Sequence, residues 1–279
     1  MKKIQLILLM LSAISVTHSL SAQKFYLDFH TGYAFRTNSQ TLSLSNYSYV
    51  YSGSSYIENY DQVYVSLGKG VNFGASLGYM FNKNIGAEAG ISYLIGGKFE
   101  DNESSTSFYT TTYNSVQSHS LSAKMFQFNP AIVLTPGFKT INPYAKFGVL
   151  ITSGSIKYNT YTNNNGSSIT DQTQKLSGGI GFGITASIGA LYTLSKKTSL
   201  FAEITSINAA FAPNKGEITK YNYNGIDQLP TMTVSQKEII FQNHYIQNNS
   251  PSTSEPSTAL KQRYPMSSIG INIGLRINI

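Results

Sequence analysis

Eight stretches of the chain alternate apolar and polar residues with period two, the pattern of strands that bury one face and wet the other. They run over Phe25–Arg36, Val71–Phe81, Ile85–Ile95, Phe126–Leu134, Pro143–Thr152, Gly179–Tyr192, from about Leu200 to Thr205, and Ser268–Ile279. In the first, Phe25, Leu27, Phe29, Tyr33 and Phe35 share one face, while Tyr26, Asp28, His30, Gly32, Ala34 and Arg36 share the other. The last sets Ile269, Ile271, Ile273, Leu275, Ile277 and Ile279 against Ser268, Gly270, Asn272, Gly274, Arg276 and Asn278. Segments of about 10 alternating residues are the length a tilted strand needs to cross a bilayer. Connections alternate too. Asn82-Lys83-Asn84, the Pro136-Gly137 region and Ser195–Thr198 are short turns, whereas 37–69, 97–121, 154–175 and 213–262 are long. Short turns on one side and long loops on the other predict an all-β fold: an eight-stranded antiparallel up-and-down transmembrane barrel with long extracellular loops. A soluble Greek-key sandwich also alternates, but it rarely keeps this strict short/long order.

Composition strengthens the membrane reading. Charged residues make up 12% of the chain, about half the share usual in soluble domains, against 20 tyrosines and 15 phenylalanines. Residues 1–22 have the layout of a secretory signal peptide: Lys2 and Lys3, an apolar stretch Ile4–Ile14, then a small-residue tail. Cleavage after Ala22 makes Gln23 the first mature residue, with Ser19 or Ser21 as alternative sites, and leaves 23–279 as one barrel domain. An N-terminal anchor helix is the competing reading, and the apolar run is too short for it. Without Lys2 and Lys3 the chain keeps 18 basic and 13 acidic residues, a scattered excess of +5 with no basic cluster, so nucleic acid is not an expected partner. No later run of about 18 apolar residues exists, which rules out a helical span. In a bilayer only helices and closed barrels satisfy every backbone group.

Three places carry a family resemblance: Asn129-Pro130-Ala131, Asn142–Gly148 (NPYAKFG) and the closing Gly270–Ile279 (GINIGLRINI). They resemble the bacterial outer membrane β-barrel domain (porin-like) family, similar to the OmpA transmembrane domain and OmpX. The resemblance covers 23–279. It implies a bacterial outer-membrane location, with membrane lipid and lipopolysaccharide around the barrel and the barrel assembly machinery as a partner. Members usually end in an aromatic residue that helps this machinery recognise the last strand. Here Ile279 stands at that position, so the alternating isoleucines are expected to carry the signal.

The inward positions are small or polar, but five are charged. Asp28, Glu88, Lys146 and Glu203 each lie about four residues from the turn-side start of a strand, and Arg276 lies three from the end of the last. All should fall in one layer near the periplasmic mouth, with Tyr144 adding a hydroxyl. Confined charges must pair, since an isolated buried one costs several kcal/mol. An eight-stranded lumen is only wide enough for side chains to fill. The layer therefore reads as a structural plug in preference to an ion gate or proton path.

Other motifs weaken on inspection. Gly181–Ala186 matches a dinucleotide fingerprint without the strand–turn–helix context it needs. Four scattered histidines (His18, His30, His119, His244) and no cysteine give no metal spacing, so no metal or other cofactor is expected. A catalytic serine would need His119 beside Ser118 or Ser120, with no evident acid to orient it, so an enzyme is not expected. The long loops are rich in Ser, Thr, Asn and Tyr, and Val63–Val65 and Phe108–Tyr113 suggest strands continuing above the membrane. Asn248–Ser257 (NNSPSTSEPS) is expected to be mobile. Two functions remain open: a non-enzymatic surface protein acting through its loops (adhesion, surface interaction or envelope integrity), or a carrier passing a small or hydrophobic solute.

Overall fold

A computed structural model describes residues 25–37, 45–52, 55–108, 112–244, 246 and 252–279. The signal segment 1–22 and residues 248–251 of the Asn248–Ser257 run lie outside them; residues 252–256 lead directly into a strand, Ser257–Leu260. The described residues form seventeen strands in one continuous hydrogen-bonded sheet. Eight of them make a closed ring: β1 Phe25–Arg36, β2 Gly70–Met80, β3 Ile85–Gly96, β4 Thr112–Leu134, β5 Ile141–Asn164, β6 Gly181–Thr193, β7 Thr198–Phe211 and β8 Ser268–Asn278. Each pairs antiparallel with its neighbours in sequence, and β8 returns to β1 with Asp28 opposite Arg276. No ring strand is left with an open edge.

The ring uses its short turns as the side chains dictate. Asn82 Oδ1 accepts the backbone N–H groups of Asn84 (2.8 Å) and Ile85 (2.9 Å), and Ser195 Oγ accepts those of Lys197 and Thr198. These are local side-chain-to-backbone bonds of the kind that make tight reversals.

Along the ring strands the apolar residues face outward and remain uncovered; Phe126 is 70% exposed, and Ile184, Ile91, Phe182 and Ile188 are nearly as bare. A belt this large and continuous is sustained by lipid, not by water. Aromatic rings gather at both ends of it. Phe25, Tyr79 and Phe81 touch on the turn side (4.7 and 5.5 Å between centroids), and Phe73, Tyr93 and Phe126 on the other (5.8 and 4.7 Å). Aromatic side chains favour the two membrane–water interfaces, where an apolar body meets a polar edge.

The nine remaining strands occupy what the sequence reads as loops. β4 and β5 run for 23 and 24 residues, about twice a bilayer crossing, so their paired upper halves stand above the apolar belt. Flanking them are Phe99–Phe108 and the hairpin Ser45–Ser52/Ser55–Gln62 on one side, and Ser168–Ser177 with Lys215–Tyr223 on the other. Thus 97–121 and 154–175 are mostly strand. The continuation suggested at Val63–Val65 is confined to a single bridge at Val65. At Phe108–Tyr113, strand occupies both ends, with 109–111 outside the described residues.

Candidate functional site: the lumen and the outer sheet

The inward parity of five strands brings Asp28, Glu88, Lys146, Glu203, Arg276 and Tyr144 together. Arg276 donates from Nε and Nη2 to the two carboxylate oxygens of Asp28 at 2.7 and 2.6 Å, a bidentate pair. Lys146 Nζ reaches Glu88 at 3.0 Å, Glu203 at 3.2 Å and Asp28 at 3.9 Å. Tyr144 donates its hydroxyl to Glu203 at 3.0 Å. Three carboxylates thus share two cations, and every acid has one in reach. Asp28 is only 1% exposed; such a charge is tolerable only with partners this close.

Further members of the network carry no charge. Tyr26 donates to Glu88 at 3.0 Å and lays its ring under the Arg276 guanidinium, 3.5 Å from the centroid. Asn272 donates to Glu203 (3.3 Å) and Thr205 (3.1 Å). Reading charges alone misses them, although Tyr26 shares the parity of Asp28 two residues away. Glycines make room for the rings. Tyr26, Tyr144 and Phe201 lie directly opposite Gly78, Gly189 and Gly274 on the next strand. A Cβ built on Gly189 would sit 2.7 Å from the Tyr144 ring, and those on Gly78 and Gly274 would collide with Tyr26 and Phe201.

Above the charged layer lies a cavity of about 70 Å³ lined by His30, Gln127, Asn129 and Thr185 among others. Higher still the chemistry of the inward face inverts. Leu121, Ala123 and Met125 continue the inward parity of Gln127, while Ser122 and Lys124 continue the outward parity of Phe126. The same exchange puts Leu150, Ile156, Ala209 and Phe211 inside. Val65, Leu67, Tyr264 and Met266, from connections the pattern reads as loop, complete a buried apolar cluster. Sequence reasoning predicts only small or polar inward residues and misses this cluster. The signal was present as a phase change: apolar residues swap faces where β4 and β5 leave the lipid.

On the outer sheet, Tyr47, Tyr49 and Tyr51 alternate along one strand opposite Tyr60, Glu58 and Tyr56 on its hairpin partner, so all share one face. The rings pack on each other, with Tyr47–Tyr60 centroids 4.8 Å apart and Tyr49–Tyr56 5.9 Å apart; Tyr56 and Tyr60 are strongly exposed. In the parallel neighbour strand, Glu103 lies beside Tyr47.

His119 lies opposite Asp101 in the pairing of Phe99–Phe108 with β4. Its ring nitrogens contact Gln117 (3.1 Å), Tyr158 (2.8 Å) and Thr160 (3.2 Å). Ser118 and Ser120, its immediate neighbours in a strand, project to the other face. His244 is exposed.

A closed antiparallel sheet, apolar outside and polar within, is the construction of outer-membrane-type β-barrels. The comparison with known families agrees: residues 6–228 match the model of the outer membrane protein beta-barrel domain, and the chain belongs to that family. Membership implies an outer-membrane location in bacteria. β8 lies beyond the matched residues, yet it supplies Arg276 and completes the ring. No curated protein matches the chain closely enough to stand as a relative.

Proposed function

We propose that the eight ring strands are the membrane-spanning barrel of a plugged, non-enzymatic surface protein that acts through its extracellular sheet, in adhesion, surface interaction or envelope integrity. Residues 1–22 direct its export, and lipid with lipopolysaccharide surrounds the belt. Two features oppose a through-path for a solute. The ion-paired layer fills the lumen near the short turns, and the apolar cluster fills it at the far end. A carrier would have to displace both, at the cost of unpaired buried charge.

The observation that carries the reading is the tyrosine face of the Ser45–Gln62 hairpin. Tyrosine offers a large, rigid contact area with a polar edge at low entropic cost, and binding surfaces favour it for that reason. Ser and Asn around it supply adaptable hydrogen bonds. The test compares whole cells displaying the wild type with cells displaying a variant in which Tyr47, Tyr49, Tyr56 and Tyr60 are serine. Binding to immobilised matrix proteins and glycans should fall at least tenfold in the variant. Equal binding, or large steady single-channel currents from the wild type in planar bilayers, would overturn the proposal.

A further inference from the structure

We propose that Asp101, Glu103 and His119 form a binding site for a divalent transition-metal ion of the zinc class on the inner face of the extracellular sheet. The three residues are placed by strand register. Asp101 lies opposite His119 and Glu103 opposite Gln117, so Asp101 and Glu103, two apart on one strand, face the same side as the imidazole. One ligand atom from each residue lies within 4.8 Å of the others, the span that a single ion can bridge.

The second observation is the state of Asp101. Its residue is 1% exposed. Oδ1 accepts the backbone N–H of His119 at 3.0 Å, but Oδ2 is buried and has no hydrogen-bond partner. Among the described residues no lysine or arginine pairs with Asp101 or Glu103; the nearest cation in sequence, Lys98, pairs with Glu100. A buried carboxylate with a bare oxygen, beside a second acid, is an unfavourable arrangement that a cation relieves.

His119 is prepared for the same role. Its ring stacks on Tyr158 with centroids 5.6 Å apart and planes within 5°. One ring nitrogen meets the hydroxyls of Tyr158 and Thr160, and the other meets the Gln117 amide. An ion would take one of these nitrogens in place of its present partner, and the other would keep the outer partner that fixes the ring's tautomer and orientation. The donor set of one imidazole and two carboxylates, without thiolate, selects a borderline ion such as Zn²⁺ over Ca²⁺ or Mg²⁺, which favour all-oxygen shells.

The ion would clamp Phe99–Phe108 to β4. Because Tyr47 lies beside Glu103, the clamp would also steady the hairpin that carries the tyrosine face.

The test uses the untagged mature protein refolded in detergent micelles and freed of metal by a chelator, with ZnCl₂ as the probe in titration calorimetry. Heat-dependent gel mobility verifies that every variant is folded. The wild type should bind one equivalent with a Kd of about 10 μM or tighter. Glu103→Gln and His119→Gln, both at partly exposed positions, should each weaken binding roughly tenfold or more, and a 100-fold excess of MgCl₂ should not compete. The proposal is overturned if folded wild type binds no Zn²⁺, if both variants bind as tightly as the wild type, or if MgCl₂ displaces the ion.

Discussion

Replacing Arg276 by alanine removes both hydrogen bonds to Asp28 and the guanidinium that rests on Tyr26. Asp28 then has only Lys146, at 3.9 Å, and that ammonium is already closer to Glu88 and Glu203. The layer goes from three acids on two cations to three acids on one. Removing one partner of a buried pair costs about 3–5 kcal/mol, and R276A should lose that much. A second change separates the charge term from the lost packing. Asp28→Asn in the R276A background leaves two acids on one cation, the wild-type excess, and should recover about 1–2 kcal/mol, since a neutral amide costs far less to bury than an unpaired carboxylate. Stability is measured by urea titration in lipid vesicles, read from the folded and unfolded bands on gels; the chain has no tryptophan to serve as a reporter. Conductance of R276A should stay near zero, because the apolar cluster above the layer is untouched. R276A within about 0.5 kcal/mol of the wild type, or a double variant no more stable than the single, would refute the network as a source of stability.

Other perturbations probe the remaining layers. Gly189→Val places a branched side chain where the Tyr144 ring lies and should cost about 1–3 kcal/mol by overpacking; an unchanged urea midpoint would show that the ring does not need its seat. Phe211→Ala empties the centre of the apolar cluster, where the ring is fully buried, and should cost about 3–5 kcal/mol. Limited proteolysis should then cut the strands above the apolar belt while the ring keeps its heat-shifted mobility. Burial, with a smaller contribution from Tyr158, pushes the Tyr264 phenol up to about 12 from an ordinary 10.0. A raised folded-state pKa gives stability that is complete below pH 10 and lost as pH climbs through 12, about 2–3 kcal/mol in all. The outer cluster should loosen in that window, seen as protease sensitivity, and Tyr264→Phe should remove the part of the loss that the phenol causes.

How much of this was legible in the chain follows from what sets each feature. Period-two alternation is a local property, so the eight ring strands, their lipid-facing side and the short turns at Asn82, Gly137 and Ser195 could be read directly. The charged layer was legible for the same reason: in a ring of regular strands, parity and distance from a turn fix both the face and the height of Asp28, Glu88, Lys146, Glu203 and Arg276. What alternation cannot give is lateral pairing between distant segments. Whether Phe99–Phe108 takes Ser45–Ser52 as a parallel neighbour depends on backbone groups that are alike in every residue, so only the folded sheet decides it. That pairing set Glu103 beside Tyr47, and the pairing of Phe99–Phe108 with β4 brought Asp101 across from His119; together they turned presumed loops into strands. The apolar cluster is intermediate. Its phase change at Lys124–Phe126 was written in the sequence, but Val65, Leu67 and Met266 reach it from connections whose short apolar runs do not say where they pack. The chain alone determined which face of each strand meets lipid, because the solvent on that face is uniform and selects only for polarity. The tertiary structure decided what meets inside and above the ring, because there each side chain answers to specific neighbours far away in sequence.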